Sequence, residues 1–297
     1  VKISFIIVTY QRNELLGQCL ASIYAQKNLP RPFEVIVIDN DGGANVNPPA
    51  DTTIRLHIER TDTNLSATGG RNLGMEIASG DYLIFIDDDA VWYTQESVGK
   101  LLQLFEQNPD CGAIATKSVN PKTQQVIIEE LPHPNKPYIS QTERPIEVPY
   151  FYGFGYALRA SVIEKIGDYP IRYFYYMEEV DLSLRLIDSG YRILYDPLVA
   201  VYHYKSALGR TIQGADYWYR SGFNKCRMAW RLLPKRYVIS TLFIWSGYVF
   251  LKTRNPLVVL KMWRDLWQER QLLGQERRPI QPQTIQYLKR IGGRLLY

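Results

Sequence analysis

An α/β protein built on a parallel sheet with helices on both faces is what this sequence predicts. Three observations carry that expectation. Short apolar runs rich in β-branched residues alternate with amphipathic stretches of helical spacing. The strand-like runs end in acidic or Gly-rich turns, and the last third changes to a basic helical pattern. At 297 residues the chain can bury a core of some size and carry an appendage, and its 46% apolar content argues against disorder.

Ile3–Val8 is a nearly unbroken apolar run, the pattern of a strand covered on both faces. Leu15, Leu16, Cys19, Leu20 and Ile23 then recur at helical spacing within Glu14–Ala25. Phe33–Ile38 is the second strand, closed by the polar turn Asp39-Asn40-Asp41-Gly42-Gly43. Thr53–Glu59 alternates as a third strand, "NLSATGGRNLGMEIASG" supplies a loop and a helix, and Tyr82–Ile86 is the fourth strand. Beyond it Ser97–Gln107 is helical and Gly112–Thr116 extended, while the Pro-rich stretch Pro121–Pro149 is loop with a hairpin at Gln125–Ile128. "YFYGFGYALRASVIEKIGDY" enters a short helix, and "MEEVDLSLRLIDSG" is an amphipathic helix stopped by Gly190. Two short strands, Arg192–Tyr195 and Val199–Tyr204, complete the body, and from Gln213 the pattern is helical.

The chemistry concentrates at one strand tip. "YLIFIDDDA" runs an apolar strand straight into Asp87, Asp88 and Asp89. In open α/β sheets the ligand site lies beyond the carboxyl ends of the strands, where Asp39 also falls. Alternating carboxylates such as Asp87 and Asp89 suit a hard divalent cation that bridges to phosphates and offsets their mutual repulsion. A solvated acidic turn is the plain alternative, and the buried lead-in argues against it. Upstream, "ATGGRNLG" offers Gly69 and Gly70 for close backbone approach, with Arg71 and Asn72 to hold a diphosphate. Neither GxxxxGK[ST] nor GxGxxG is present, which disfavours a kinase or a dehydrogenase.

Glu178, Glu179 and Asp181 stand where the aromatic run "YFYYM" becomes a helix. Helix capping accounts for acidic residues there; the functional alternative is a base that takes a proton from a hydroxyl nucleophile. His203 ends the strand "LVAVYHY" and is one of three histidines, so a histidine cluster is excluded, although one imidazole can complete a carboxylate-bound cation.

With these motifs in view, about the first 205 residues resemble the family 2 inverting glycosyltransferases of GT-A fold, especially rhamnosyltransferase-like and galactofuranosyltransferase-like members. "SFIIVTYQRNELLGQCLASI" is similar to the opening strand and helix that hold the nucleotide, "VIVIDNDGG" to the strand ending in a base- or ribose-binding Asp, and "IDDDA" to the DxD motif. "GFGYALRASVIEKIGDYPIRYFYYMEEVDLSLRL" is similar to the acceptor-side segment, with EEVDL where the family usually has EDxDL. The resemblance implies a Rossmann-like, mostly parallel sheet over residues 1–209. Residues 1–120 form the nucleotide-sugar half and 121–209 the acceptor half, with a helical region at 210–297. It implies Thr9, Tyr10, Arg12, Asp39, Arg71, Asn72, Asp87 and Asp88 around a UDP-, dTDP- or GDP-linked sugar. Asp87, Asp89 and His203 would hold Mn²⁺ or Mg²⁺, and Trp92, Gly153, Phe154, Tyr176 and Asp181 would face a glycan or lipid-linked acceptor. Glu179 takes the place of the family's catalytic Asp one methylene further out, and Glu178 stays open as the alternative base.

The net charge of +5 divides unevenly: 17 Lys+Arg against 26 Asp+Glu up to His203, then 18 against 4 from Tyr204 onward. Basic helical segments carrying Trp230, Trp245, Trp263 and Trp267 suit an anionic bilayer surface better than a nucleic acid, for they are too apolar for a solvated phosphate-binding arm. Packing on the body or on a second copy of the chain is the alternative. The longest apolar run, Tyr237–Leu251, has 15 residues, short of the roughly 20 that cross a bilayer. The opening "VKISFIIVTY" has no signal-peptide pattern, and three scattered cysteines read as reduced thiols. The expectation is a cytoplasmic enzyme, peripheral on the inner face of the cell membrane, in cell-surface polysaccharide or glycoconjugate synthesis. A nucleotidyltransferase acting on sugar phosphates and a catalytically idle nucleotide-sugar binder are the rival readings.

Overall fold

The computed structural model describes residues 2–40, 42–206 and 212–295; the turn residue Asp41 and the expected boundary at 209 lie outside them. Strands β1 (Ile3–Thr9), β2 (Phe33–Asp39), β3 (Ile54–Arg60) and β4 (Tyr82–Ile86) alternate with helices α1 (Asn13–Tyr24) and α2 (Ser66–Ile77), as the periodicity requires. Then follow β5 (Ala90–Trp92), α3 (Ser97–Gln107), β6 (Cys111–Val119), α4 (Lys136–Ser140), β7 (Ile146–Glu147), β8 (Gly155–Arg159) and α5 (Ala160–Ile166). Helix α6 (Glu178–Asp188) leads into β9 (Arg192–His203). The C-terminal helices are α7 (Gly214–Leu232), α8 (Lys235–Thr253), α9 (Pro256–Gln268), α10 (Arg270–Gln275) and α11 (Pro282–Arg290).

Among the described residues the nine strands form one sheet in the order β3-β2-β1-β4-β8-β6-β9-β5, with β7 also on β9. β3, β2, β1 and β4 pair in parallel and so do β6 and β9, whereas β8 is inserted antiparallel between β4 and β6. Glycine spacing sets the helix on this sheet. A Cβ on Gly70 would meet Val8 at 2.7 Å and one on Gly74 would meet Ile6 at 2.4 Å, so α2 lies close against β1. Of the two glycines expected to admit a diphosphate, Gly70 thus serves helix-on-sheet packing, whereas a Cβ on Gly69 would meet Leu65 at 2.9 Å.

Two local expectations are corrected. The pair of strands expected over Arg192–Tyr195 and Val199–Tyr204 is the single strand β9, because β6 pairs along its length and absorbs Asp196 and Pro197 in a register shift between Ala115 and Lys117. In place of a hairpin at Gln125–Ile128 there is one bridge, Val119 to Val126, followed by a 3₁₀ turn at Ile128–Glu130.

The core runs on both sides of the sheet. On one side Leu83, Phe85, Tyr156, Leu182 and Leu186 pack with Met228 and Leu232 of α7 and with Ile285 and Leu288 of α11. The helices expected as an extension therefore begin and end in the body's own core. Helices α8 and α9 close a smaller cluster of Phe223, Cys226, Val249, Met262 and Leu266. Among the described residues no helix is long and apolar enough to cross a membrane.

Candidate active site

The acidic strand tip and the end of β9 come together through sheet register. β5 pairs antiparallel with β9 so that Ala90 faces His203, which sets Asp89 beside the imidazole. One ligand atom from each of Asp87, Asp89 and His203 lies within 4.8 Å of the others. Asp89 Oδ2 accepts the Ser206 N–H at 2.8 Å, but its buried Oδ1 makes no hydrogen bond, with His203 Nε2 at 3.5 Å. An orphaned buried carboxylate oxygen facing a second carboxylate and an imidazole is a donor set that fits a hard divalent cation. Burial pulls the His203 imidazolium down, yet Asp89 and Glu130 outweigh it and lift the pKa to about 9.

Asp88 points the other way. Its carboxylate accepts from Thr9 Oγ1 at 2.8 Å and Arg12 Nη1 at 2.7 Å, tying the end of β1 to the acidic turn. Burial raises it to about 6 against the opposing Arg12 charge.

Arg71 is the hub of the site. It is buried at 5% exposure near the Tyr156 and Tyr169 rings. Its guanidinium donates to Glu179 Oε1 at 2.9 Å, to Asp87 Oδ1 at 3.2 Å and to the Gly153 carbonyl at 3.2 Å. One guanidinium therefore spans the candidate metal-site carboxylate and the candidate base. The antiparallel β4–β8 pairing delivers the third partner: Ile86 faces Gly155, and the Asp87 N–H donates to the Phe154 carbonyl. A Cβ on Gly153 would lie 2.3 Å from Arg71 Nη2 and 2.4 Å from Glu179 Oε1, so a glycine is needed there. Glu178 lines the larger cavity with Glu179 but is almost fully buried. Burial lifts its carboxyl to about 8, the Glu179 charge adding to the rise and Arg71 opposing it, and its Oε2 has no hydrogen-bond partner.

Two cavities meet at this wall. One, of about 230 Å³, runs over the ends of β1 and β4 past Thr9, Tyr10, Arg12, Asn40, Ser66 and Asp88. The other, of about 940 Å³, runs past Glu130, Tyr152, Gly153, Phe154, Glu179 and Trp245. Arg71, Asp87, His203, Tyr175, Tyr176 and Tyr217 line both. Tyr175 and Tyr176 arrive on a turn in which Phe174, Tyr176 and Met177 have positive φ, a costly conformation for such residues, while Tyr217 comes from α7. Asn224 of α7 pins that turn by donating to the carbonyls of Tyr173 and Tyr175 at 2.8 Å and of Tyr176 at 3.2 Å.

Four expected site residues lie away from both cavities. Trp92 is in the core at 4% exposure, because it ends the short edge strand β5 with its side chain packed into the core. Asp181 is fully buried, accepting from Tyr173 and Arg185 at 2.8 Å and from Arg231. Asn72 is spent on the Tyr169 backbone, and Asp39 accepts the Ala44 N–H at the end of β2. Conversely Glu130, Tyr175, Tyr217, Asn224 and Trp245 were not singled out as site residues; their only sequence signals were the aromatic run and the basic Trp-bearing segment.

The sequence profile described as glycosyl transferase family 2 matches residues 4–167, more than half of the chain. An uncharacterized glycosyltransferase of Haemophilus influenzae is 28% identical over 169 residues, 57% of this chain and 51% of that protein, so the chain spans about half its length. An N-acetylglucosaminyl-diphospho-decaprenol L-rhamnosyltransferase of Mycobacterium tuberculosis is 26% identical over 237 residues, 68% of this chain and 75% of that one. Among solved structures, a mannosyltransferase of Pyrobaculum calidifontis in complex with GDP-Man and Mn²⁺ superposes with a TM-score of 0.57 at 17% identity. That match covers 90% of this chain and 74% of the other. The fold is GT-A, as the motifs predicted.

Proposed function

The chain belongs to glycosyl transferase family 2, and from that premise we propose an inverting, metal-dependent transferase. It moves a sugar from a UDP-, dTDP- or GDP-linked donor to a hydroxyl of a glycan or lipid-linked glycan in cell-surface polysaccharide or glycoconjugate synthesis. The observation that supports this best is the meeting of a smaller and a larger cavity at the Arg71–Asp87–His203 wall, with Glu179 on the larger side. A donor in the first and an acceptor in the second would face each other across the anomeric carbon. Mn²⁺ or Mg²⁺ on Asp87, Asp89 and His203 would neutralise the departing diphosphate.

The remaining work falls to side chains. Glu179 takes the acceptor hydroxyl proton as the new C–O bond forms on the face opposite the leaving nucleoside diphosphate. Arg71 orients Glu179 through one oxygen and leaves the other for the proton. Burial pushes the Glu178 carboxyl toward its protonated form, which favours Glu179 as the base. Tyr175 and Tyr176 line both cavities and shield the reacting centre from water. The test is Glu179→Gln, read by donor binding and by nucleoside diphosphate release from a panel of UDP-, dTDP- and GDP-sugars. The expected result is unchanged binding with at least a hundredfold slower release, in keeping with loss of a general base. Release at the parent rate would remove Glu179 from the mechanism.

The acceptor reading extends to a bilayer. Phe243, Ile244 and Leu251 of α8 and Leu257, Leu260 and Trp267 of α9 are each more than half exposed. Lys235, Arg236, Lys252, Lys261 and Arg264 lie on the same two helices, and Arg254 follows α8 as its C-cap. An apolar face with a basic border suits anionic headgroups at the inner face of the cell membrane. Flotation of the full chain with phosphatidylglycerol vesicles should exceed that of a Phe243→Asp/Leu251→Asp/Trp267→Asp variant at least tenfold. Equal flotation, or a dimer that forms in place of vesicle binding, would assign the face to another role.

A further inference from the structure

We infer that Glu130 is a positioning residue for the cation site: its carboxylate holds His203 in the tautomer that turns the Nε2 lone pair toward Asp89. The inference rests on the reading of Asp87, Asp89 and His203 as a cation site and assigns a role to a residue outside that set.

The geometry is specific. Glu130 Oε2 lies 2.8 Å from His203 Nδ1, while Nε2, the other ring nitrogen, is the one that faces Asp89 Oδ1 at 3.5 Å. A carboxylate can only accept, so the nitrogen beside it must carry the hydrogen, and once a cation takes the place of the second proton Nε2 is the nitrogen whose lone pair it meets. Phe154 stacks on the ring at 5.2 Å between centroids, which fixes the ring plane as Glu130 fixes its edge. Glu130 itself is steadied: Oε1 lies 3.1 Å from Lys205 Nζ, and its side chain is only 12% exposed. An exposed acidic group pairing by chance would have neither constraint. Carboxylate–imidazole–cation relays of this kind orient the ligand and raise its basicity, and breaking them typically weakens metal binding by about 10- to 100-fold.

The origin of Glu130 adds a consequence. It ends the 3₁₀ turn Ile128–Glu130, within the proline-rich segment that lines the larger cavity, whereas the ligands come from the β4–β5 turn and β9. The acceptor-side loop thus reaches behind the cation site and braces it.

The test titrates Mn²⁺ into the intact chain without nucleotide, reading free Mn²⁺ by electron paramagnetic resonance for the parent, His203→Ala, Glu130→Leu and Glu130→Gln. Expected is a 10- to 100-fold weaker Mn²⁺ affinity for Glu130→Leu and an intermediate loss for Glu130→Gln, whose amide oxygen still accepts from Nδ1. If His203→Ala weakens binding and Glu130→Leu does not, the Glu130 role is wrong and the cation site stands. If His203→Ala has no effect, the cation site itself falls and the inference with it. Nitrogen-15 spectra of His203 in the parent with Mg²⁺ give a readout that no variant's folding can confuse. With Mg²⁺ saturating, a proton on Nδ1 alone supports the inference, and a proton retained on Nε2 overturns it.

Discussion

Gly153→Ala isolates the geometry of the base from the fold that holds it. The added Cβ would fall 2.3 Å from Arg71 Nη2 and 2.4 Å from Glu179 Oε1. Ordinary contact needs about 3.5 Å, so one or both groups must retreat by roughly 1 Å. Both atoms end long, flexible side chains, and β8 need not move, so the cost in stability is about 1 kcal/mol. The cost in function is larger, because a base displaced by about 1 Å loses on the order of a hundredfold in rate, or about 2.7 kcal/mol of barrier. The three atoms nearest the new methyl belong to Arg71 and Glu179, so the loss should fall on kcat more than on the donor KM, as expected of a transition-state interaction. The assay is nucleoside diphosphate release from the sugar nucleotide the parent turns over, alongside thermal unfolding. A variant within threefold of the parent kcat would refute the claim that Gly153 exists to admit the Arg71–Glu179 pair.

Glu178→Gln addresses the buried carboxyl next to the base. With its folded pKa at about 8 against an ordinary 4.5, Glu178 keeps its proton in the folded chain and releases it on unfolding. Its stabilising share is therefore complete below pH 4.5 and is lost as pH rises through 8, at up to about 1.4 kcal/mol per pH unit between. The Gln variant should show a flatter fall of stability from pH 5 to 8 in denaturant titrations; an unchanged slope would contradict the assignment. Asn224→Ala strips the donor from three turn carbonyls and should cost about 1–3 kcal/mol of stability. It should also slow transfer, since Tyr175 and Tyr176 ride on that turn. A melting temperature equal to the parent's would show that the turn holds itself.

Much of the first half was legible because its signals are local. Apolar runs broken at polar turns located β1, β2 and β4, and the strand-to-acid step at Ile86–Asp87 marked the candidate cation site, since three carboxylates at a buried strand end need a counter-charge. β8 was not recognised, because an antiparallel insertion between β4 and β6 depends on partners 41 to 77 residues away and leaves no periodic mark. The proline in β9 read as a break for the same reason: only its pairing with β6 shows that the strand continues past it.

What the sequence by itself determined, then, is the inventory: the α/β alternation, the acidic tip, the EEVDL helix start, His203 at a strand end and the basic, Trp-bearing tail. Tertiary structure alone decided what each group does. Arg71 and Asn72 are neighbours in a motif, yet one becomes the buried hub and the other a backbone tie. Asp181 and Glu179 share a helix turn, and one is sealed against Arg231 while the other faces a cavity. The physical reason is that a charged side chain's role follows from its burial and from the partner it meets across the chain, and spacing along the sequence encodes neither.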